Sequence, residues 1–201
     1  AGATRIMSVD LHAAQIQGFF NGPVDHLHAL PLLSEYVQRK YGGEDMVVVS
    51  PDAGRVRMAD QWTDRLGCPL AIIHKRRDPN VANTVAVHEV VGDVEGKVCL
   101  LVDDMIDTAG TICLAADALR ARGAKAVIAA ATHPVLSGPA AQRLNQSAFQ
   151  EVIVTNTLPI LPGVRIDCLT VLSIAPLLAK AIKAVFTEAS VTSLMGDGAG
   201  L

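Results

Sequence analysis

Val98-Cys99-Leu100-Leu101-Val102-Asp103-Asp104-Met105-Ile106-Asp107-Thr108-Ala109-Gly110-Thr111 is the stretch that decides the fold class. Five apolar residues, Val98 to Val102, follow Gly96-Lys97 and stop at an acidic pair. A run that is apolar at every position suits a strand buried on both faces, as in parallel sheets covered by helices. Downstream, Ile112, Ala115, Ala116 and Leu119 recur at helical spacing and Gly123 is a natural stop, so the pattern predicts a helix over 111–122. A strand that runs through a short polar loop into a helix puts residues 103–111 at the carboxyl edge of a sheet, where open α/β folds take ligands.

The same alternation extends outward. Met46–Val49 reads as a strand ending in the turn Ser50-Pro51-Asp52-Ala53-Gly54. A helix follows, with Val56, Ala59, Trp62 and Leu66 on one face and Gly67 as its stop. Leu70–Ile73 and Val87–Val91 read as strands on either side of the polar stretch 75–84. Beyond the central loop come strands over 126–131 and 152–154, a short helix over 139–144, and Leu169–Leu172 leading into an amphipathic helix over 174–186. The β-α-β rhythm predicts a doubly wound, mostly parallel α/β sheet. With 50% apolar residues but only 3% aromatic, the core must be built from Ala, Val, Leu and Ile. The start differs: the strand-like run Ile6–Val9 has almost nothing before it, so these first residues read as the end of a domain whose beginning is absent.

A net charge of −3 and a pI near 6.1 point to neither nucleic acid nor an anionic membrane surface, so an anionic ligand needs a local site. No apolar run approaches the ~20 residues of a membrane span and no signal peptide is evident, so the expectation is a cytoplasmic protein. Cys68, Cys99, Cys113 and Cys168 lie far apart without metal-ligand spacing and read as reduced thiols.

The loop has chemistry at both ends. Small residues over 108–111 let backbone N–H groups approach an anion, and the helix N-terminus adds its dipole. The carboxylates upstream suit vicinal sugar hydroxyls, which donate to them. Sugar at one end and phosphate at the other describe a ribose 5-phosphate. Two other readings stand beside this one. Asp-Asp-x-x-Asp also serves as a magnesium-diphosphate motif in prenyl transferases, but there on the long helices of an all-α protein. Alternatively, Asp107 or Thr108 merely caps the helix, which a single residue can do without three acids and a Thr-Ala-Gly-Thr cradle.

The loop resembles the ribose-5-phosphate loop shared by phosphoribosyltransferases and the phosphoribosyl diphosphate (PRPP) synthetases, and the surrounding chain resembles the synthetases more closely. Ser8-Val9-Asp10-Leu11-His12-Ala13-Ala14-Gln15-Ile16-Gln17-Gly18-Phe19-Phe20 is similar to their histidine-containing signature. Ser50-Pro51-Asp52-Ala53-Gly54 is similar to their second phosphate-site loop, and Lys75-Arg76-Arg77 to the start of their flexible catalytic loop. Asp78-Pro79-Asn80, Arg55, Arg57 and Asn21 depart from the family pattern.

The resemblance implies a ribose-phosphate diphosphokinase of phosphoribosyltransferase-like fold. Such an enzyme transfers the β,γ-diphosphoryl group of ATP to the C1 hydroxyl of ribose 5-phosphate, giving PRPP and AMP. Lys75, Arg77 and His12 are then expected to serve catalysis. Arg77, Asp103, Asp104, Asp107, Thr108, Ala109, Gly110 and Thr111 are expected to bind ribose 5-phosphate, with Asp103 weighted above Asp104. The cofactor implied is Mg2+, near His12, Asp52 and, as a further candidate, Asp10. Residues 1–28 are expected to end a truncated N-terminal domain, 29–172 to form the ribose-5-phosphate domain, and 173–201 to supply a C-terminal helix and tail. Partners implied are ATP, ribose 5-phosphate and further copies of the chain, a hexamer in the complete enzyme, with no nucleic acid and no membrane. The alternatives are a phosphoribosyltransferase that consumes PRPP and a non-catalytic, synthetase-associated regulatory protein. With the preceding domain missing, the expectation allows that the fragment is inactive alone.

Overall fold

The computed structural model describes residues 2–76 and 87–195. Its strands and longer helices are, in chain order, β1 (Ile6–Val9), β2 (Val24–Leu27), α1 (Leu30–Tyr41), β3 (Met46–Ser50), α2 (Val56–Leu66), β4 (Leu70–Arg76), β5 (Val87–Val91), β6 (Val98–Ile106), α3 (Gly110–Ala121), β7 (Ala126–Pro134), α4 (Ala140–Gln146), β8 (Phe149–Thr155), β9 (Leu169–Leu172) and α5 (Ala175–Phe186). Strands β3 to β9 form one sheet of order β5-β4-β3-β6-β7-β8-β9. All its neighbours pair in parallel except β4 and β5, which are antiparallel. The expected doubly wound, mostly parallel α/β fold is what the chain forms.

Helices cover both faces. On one face α1 and α2 set Leu33, Val37, Tyr41, Ala59 and Trp62 against Val48, Leu100 and Ile128 of the sheet. On the other, Ile112, Ala115, Ala116 and Leu119 of α3 and Leu144 of α4 meet Val49, Leu101, Ala129 and Val152. Consecutive residues of β6 therefore serve opposite layers, which is why Val98–Val102 is apolar at every position. The chain leaves β3 towards α2 on one face and β6 towards α3 on the other. Since β3 and β6 are neighbours, their carboxyl ends flank the topological switch point of the sheet.

Two strands run further than their hydrophobic runs predict. β6 continues to Ile106, because β7 also continues, to Pro134, and the pairing persists through Asp103↔Ala131 and Met105↔His133. Asp103 and Asp104 are thus strand residues, and only 107–109 form the loop. β4 continues to Arg76 because β5 pairs with it through Lys75↔His88 and Arg76↔Val87. The start of the expected flexible loop is, in its backbone, the end of an edge hairpin.

β1 and β2 make a separate two-stranded parallel ribbon, which shares no pairing with the main sheet. Leu27 of β2 packs with Ala181 and Ala184 of α5 and with Val191, while Met7 and Val9 of β1 lie against the same cluster. Asp10, with a φ of 41° just after β1, pins this ribbon to the sheet. Its carboxylate accepts from Ala29 N at 2.9 Å and from the Thr132 hydroxyl at 2.7 Å, and pairs with His28 Nδ1 at 2.9 Å. Beside it, His133 Nε2 donates to the carbonyls of Val9 and Asp10.

α1 is locked to the sheet by one buried acid. Glu151 of β8, only 4% exposed, accepts from Tyr36 at 2.7 Å, Tyr41 at 2.5 Å and Thr170 at 2.5 Å, with Lys40 Nζ at 2.9 Å. Burial alone raises its pKa, but the hydrogen bonds from Thr170, Tyr41, Lys40 and Tyr36 outweigh that and hold it down at about 2. Glu151→Ala strands the buried Tyr41 hydroxyl and the half-buried hydroxyls of Tyr36 and Thr170 and is expected to cost about 3 kcal/mol, lowering Tm by roughly 6–12 °C. The depressed pKa fixes the sign with pH. The carboxylate's contribution is fully present above the unfolded value near ~4.3 and is lost as pH falls towards about 2. Urea unfolding of wild type and Glu151→Gln at pH 7, 5 and 3 should show the gap closing only at the acid end.

Candidate functional site

Three segments bring polar side chains to the switch point. The turn after β3 contributes Asp52 and Arg55, the end of β6 contributes Asp103 and Asp104, and the residues after β1 contribute His12. Asp52 caps the turn Ala53–Arg55: its Oδ1 accepts from Gly54 N at 2.7 Å and Arg55 N at 3.0 Å. This holds Arg55 at the mouth of the site, where its side chain turns towards the acidic pair. Arg55 Nη2 donates to Asp104 Oδ1 at 3.0 Å, and its Nε lies 3.2 Å from Asp103 Oδ1. His12 Nδ1 donates to the other Asp104 oxygen at 2.6 Å and lies 2.9 Å from Arg55 Nη2.

The two acids are not equivalent. The Asp104 side chain is 4% exposed and both its oxygens are engaged, by Arg55 and by His12. Asp103 is 24% exposed and faces the mouth. Burial, reinforced by the adjoining Asp104 carboxyl, pushes the Asp103 pKa up to about 7, against the pull of the Asp104 N–H and of Arg55. A partly exposed carboxyl whose pKa burial raises, at the rim of a sheet edge, is placed to accept from an arriving donor.

The loop that follows has the form of an anion cradle. Ala109 takes the left-handed conformation at φ 58°, uncommon for a residue with a Cβ, and no side chain caps the N-terminus of α3. The first N–H groups of the helix at Gly110 and Thr111 are therefore presented without a side-chain acceptor, beside the exposed Thr108 and Thr111. The loop is held from behind. Ser137 N donates to the Asp107 carbonyl at 3.1 Å, Leu136 N to the Ile106 carbonyl at 2.9 Å, and the Ser137 hydroxyl to Asp107 Oδ1. Arg143 of α4 donates to the Thr108 carbonyl at 2.9 Å and brings a second cation to the cradle. Neither capping reading of the sequence describes this loop, since Asp107 bonds to Ser137 and Thr108 makes no cap.

Of the residues expected from the sequence, His12, Asp103 and Asp104 meet directly, Asp52 joins them through Arg55, and Asp107 to Thr111 form the adjoining cradle. Asp10 stands apart as the ribbon's pin. Hydrogen bonds from His28, the Thr132 hydroxyl and the Ala29 N–H overcome its burial and keep its pKa below the usual range. Asp10, His26 and His28 do offer ligand atoms within 4.8 Å of one another, although His26 Nε2 accepts from Leu11 N at 2.8 Å. Lys75, the penultimate residue of β4, lies at the same sheet edge as Asp52, since β4 runs parallel to β3, with only its backbone described. Arg77 lies outside the described residues. Sequence reasoning placed Arg143 on a short helix but outside any motif, and gave Arg55 no partner within the chain.

The family model of the phosphoribosyl synthetase-associated domain matches residues 82–196. The ribose-phosphate pyrophosphokinase of Streptomyces coelicolor is 64% identical over 197 residues, which are 98% of this chain and 61% of the relative. That of Mycobacterium tuberculosis is 60% identical over 199 residues, with the same coverage of both. The crystal structure of phosphoribosylpyrophosphate synthetase from Mycobacterium smegmatis superimposes with a TM-score of 0.86 at 60% identity, over 94% of this chain and 60% of that one. The chain thus spans about three-fifths of the length of these relatives. Among the described residues no helix is long and apolar enough to cross a membrane.

Proposed function

This chain belongs to the phosphoribosyl synthetase-associated domain family, and from that premise we propose that it is the ribose-5-phosphate-binding part of a ribose-phosphate diphosphokinase. The observation that carries the reading is the continuity of Asp103 and Asp104 with the uncapped N-terminus of α3, at the switch point and beside the Asp52 turn. In the reaction, the C1 hydroxyl oxygen of ribose 5-phosphate attacks the β-phosphorus of ATP and the bond from that phosphorus to the α-phosphate oxygen breaks. AMP leaves with that oxygen, and the C1 hydroxyl proton is released. Such a transfer depends on alignment and charge neutralisation more than on covalent help.

Asp103 accepts the ribose hydroxyls, with buried Asp104 holding His12 and Arg55 in place behind it. Residues Asp107 to Thr111 take the 5-phosphate on backbone N–H groups and threonine hydroxyls. Lys75 and Arg77 neutralise the transferring group. His12, whose Nδ1 donates to Asp104, can give a second hydrogen bond from its other ring nitrogen to a phosphate oxygen only as the imidazolium. Mg2+ enters with ATP as part of the substrate and neutralises the polyphosphate. Its oxygen preference suits Asp52, whose Oδ2 accepts no hydrogen bond from the described residues, better than His12. Asp10, with three donors already on its carboxylate, suits it least. Assembly with further copies of the chain belongs to the same reading. The exposed Phe19 and Phe186, at 90% and 84%, support it, and sedimentation velocity checks it.

The test is formation of AMP and PRPP by this chain given ATP, magnesium and ribose 5-phosphate. Equal amounts of both products are expected from a complete site. Binding of ribose 5-phosphate without turnover identifies a sugar-phosphate half-site. Reaction of PRPP with a nucleobase, without ATP, would replace the proposal by a phosphoribosyltransferase. Within this reading, Arg143→Ala removes the hydrogen bond that fixes the Thr108 peptide. Titration calorimetry should show ribose 5-phosphate bound about ten-fold more weakly, the value of one charged hydrogen bond.

A further inference from the structure

We propose that Arg55 is a positioning residue that couples the sugar and polyphosphate ends of the site. It holds the acidic pair while the sugar is absent, and it turns to the nucleotide phosphates when a sugar diol takes its place. The proposal rests on the ribose-5-phosphate reading above and concerns how that site works.

One guanidinium meets three groups from two other parts of the chain: Asp103 Oδ1 at 3.2 Å, Asp104 Oδ1 at 3.0 Å and His12 Nδ1 at 2.9 Å. Its own backbone is fixed, because Arg55 N donates to Asp52 Oδ1. Movement is therefore confined to the side chain, which pivots between the β6 edge and the Asp52 turn. The contact with Asp103 falls on the same carboxylate oxygen that accepts Asp104 N at 2.9 Å. That oxygen is crowded, and a vicinal diol that takes both Asp103 oxygens must compete with Arg55 Nε for Oδ1. Asp104, 4% exposed and also tied to His12, has no comparable access to an arriving ligand. Arg55 is itself only 22% exposed, so its charge is not simply screened by water and needs a partner wherever it goes.

A diol brings donors but no positive charge. Sugar binding at Asp103 displaces the guanidinium from that carboxylate and leaves it with Asp104 alone, one partner short. A polyphosphate held at the Asp52 turn supplies that partner, in the fork geometry that suits arginine. Each ligand then lowers the cost of binding the other, and linkage makes the effect reciprocal. The neighbouring Arg57 has no contact with the acidic pair among the described residues and does not share this role.

Titration calorimetry of the full chain with ribose 5-phosphate, alone and with the magnesium complex of a non-hydrolysable ATP analogue, tests the coupling. For wild type the analogue is expected to tighten sugar binding on the order of ten-fold, within the usual range of coupling between sites. Arg55→Ala is expected to bind ribose 5-phosphate alone at least as tightly as wild type, with the analogue changing its affinity by less than about two-fold. Arg55→Lys keeps the charge but cannot span both carboxylates, so it is expected to retain at most about half of the coupling free energy. Full coupling in either variant, or none in wild type that still binds the sugar phosphate, overturns the role of Arg55 and leaves the sugar site standing. Absence of ribose 5-phosphate binding from wild type and both variants overturns the sugar-site reading itself, and the role of Arg55 with it.

Discussion

Lys75→Ala in the complete enzyme is expected to lower kcat on the order of 100- to 1,000-fold while leaving the affinity for ribose 5-phosphate within about two-fold of wild type. The asymmetry follows from where the backbone runs. β4 pairs in parallel with β3 through Val48↔Leu70, Val49↔Ala71 and Ser50↔Ile72, so Lys75 lies three residues beyond the level at which β3 ends. At about 3.3 Å per residue, the strand carries Lys75 roughly 10 Å past that level, on the same edge as the Asp52 turn. The sugar-phosphate loop hangs instead from β6, separated from β4 by β3. A cation at the end of β4 is thus placed for the polyphosphate side, and its loss should spare the cradle at 107–111. Rapid-quench measurement of AMP formation gives kcat, and titration with ribose 5-phosphate gives the affinity. A variant with normal kcat, or one that loses sugar-phosphate affinity in step with kcat, rejects this division of labour. Antiparallel pairing with β5 through Lys75↔His88 makes the position part of a ladder, so a melting comparison distinguishes lost chemistry from a loosened hairpin.

The parts of this architecture legible in sequence are those whose signal is local. The run Val98–Val102, the stripe Val56-Ala59-Trp62-Leu66 and the stop at Gly67, whose φ of 66° uses a glycine's freedom, each fit within one element. α1 was not legible in the same way. Its buried stripe is Leu33, Ser34, Val37 and Tyr41, in which a serine and a tyrosine dilute the apolar pattern, and Pro31 resembles a breaker. In the first turn, however, a proline forfeits no helical hydrogen bond. β2 is four residues with two charged or polar members, and becomes a strand only because β1 lies alongside it. The strand ends of β4 and β6 were similarly hidden, since pairing with a neighbour extended them past their hydrophobic runs. Within the site, residue types pointed to the ligand chemistry, but the joining of His12 to Asp104 spans 92 positions and that of Arg55 to Asp104 spans 49. No periodicity encodes such contacts; they follow from strand order. Arg55, in sequence only a departure from the family pattern, is an internal counter-ion of the acidic pair.

Asp103→Asn is expected to weaken ribose 5-phosphate about 100-fold at pH 8, the loss of two hydroxyl bonds to a charged acceptor. The dependence on pH separates this from a general disturbance. Burial beside Asp104 raises the Asp103 pKa to about 7, so in wild type the carboxylate form is withdrawn as pH falls through neutrality. A protonated carboxyl accepts hydroxyl bonds more weakly, and sugar affinity should decline in that window. Stability runs the opposite way. With a folded pKa above the unfolded value near ~3.9, the folded chain keeps its proton longer than the unfolded chain, so this group's contribution is fully present below ~pH 4 and is lost as pH rises towards about 7. Asparagine has no proton to lose and removes both trends. The substrate's phosphate titrates as well, with a second pKa near ~6. The variant should therefore keep a weak dependence centred near that value and lose the component near neutrality. Calorimetric titrations from pH 5.5 to 8.5, paired with urea unfolding over the same range, measure both. Unchanged affinity in Asp103→Asn would remove Asp103 from the sugar site, whereas lost affinity with an unchanged pH profile would keep the contact and reject the raised pKa.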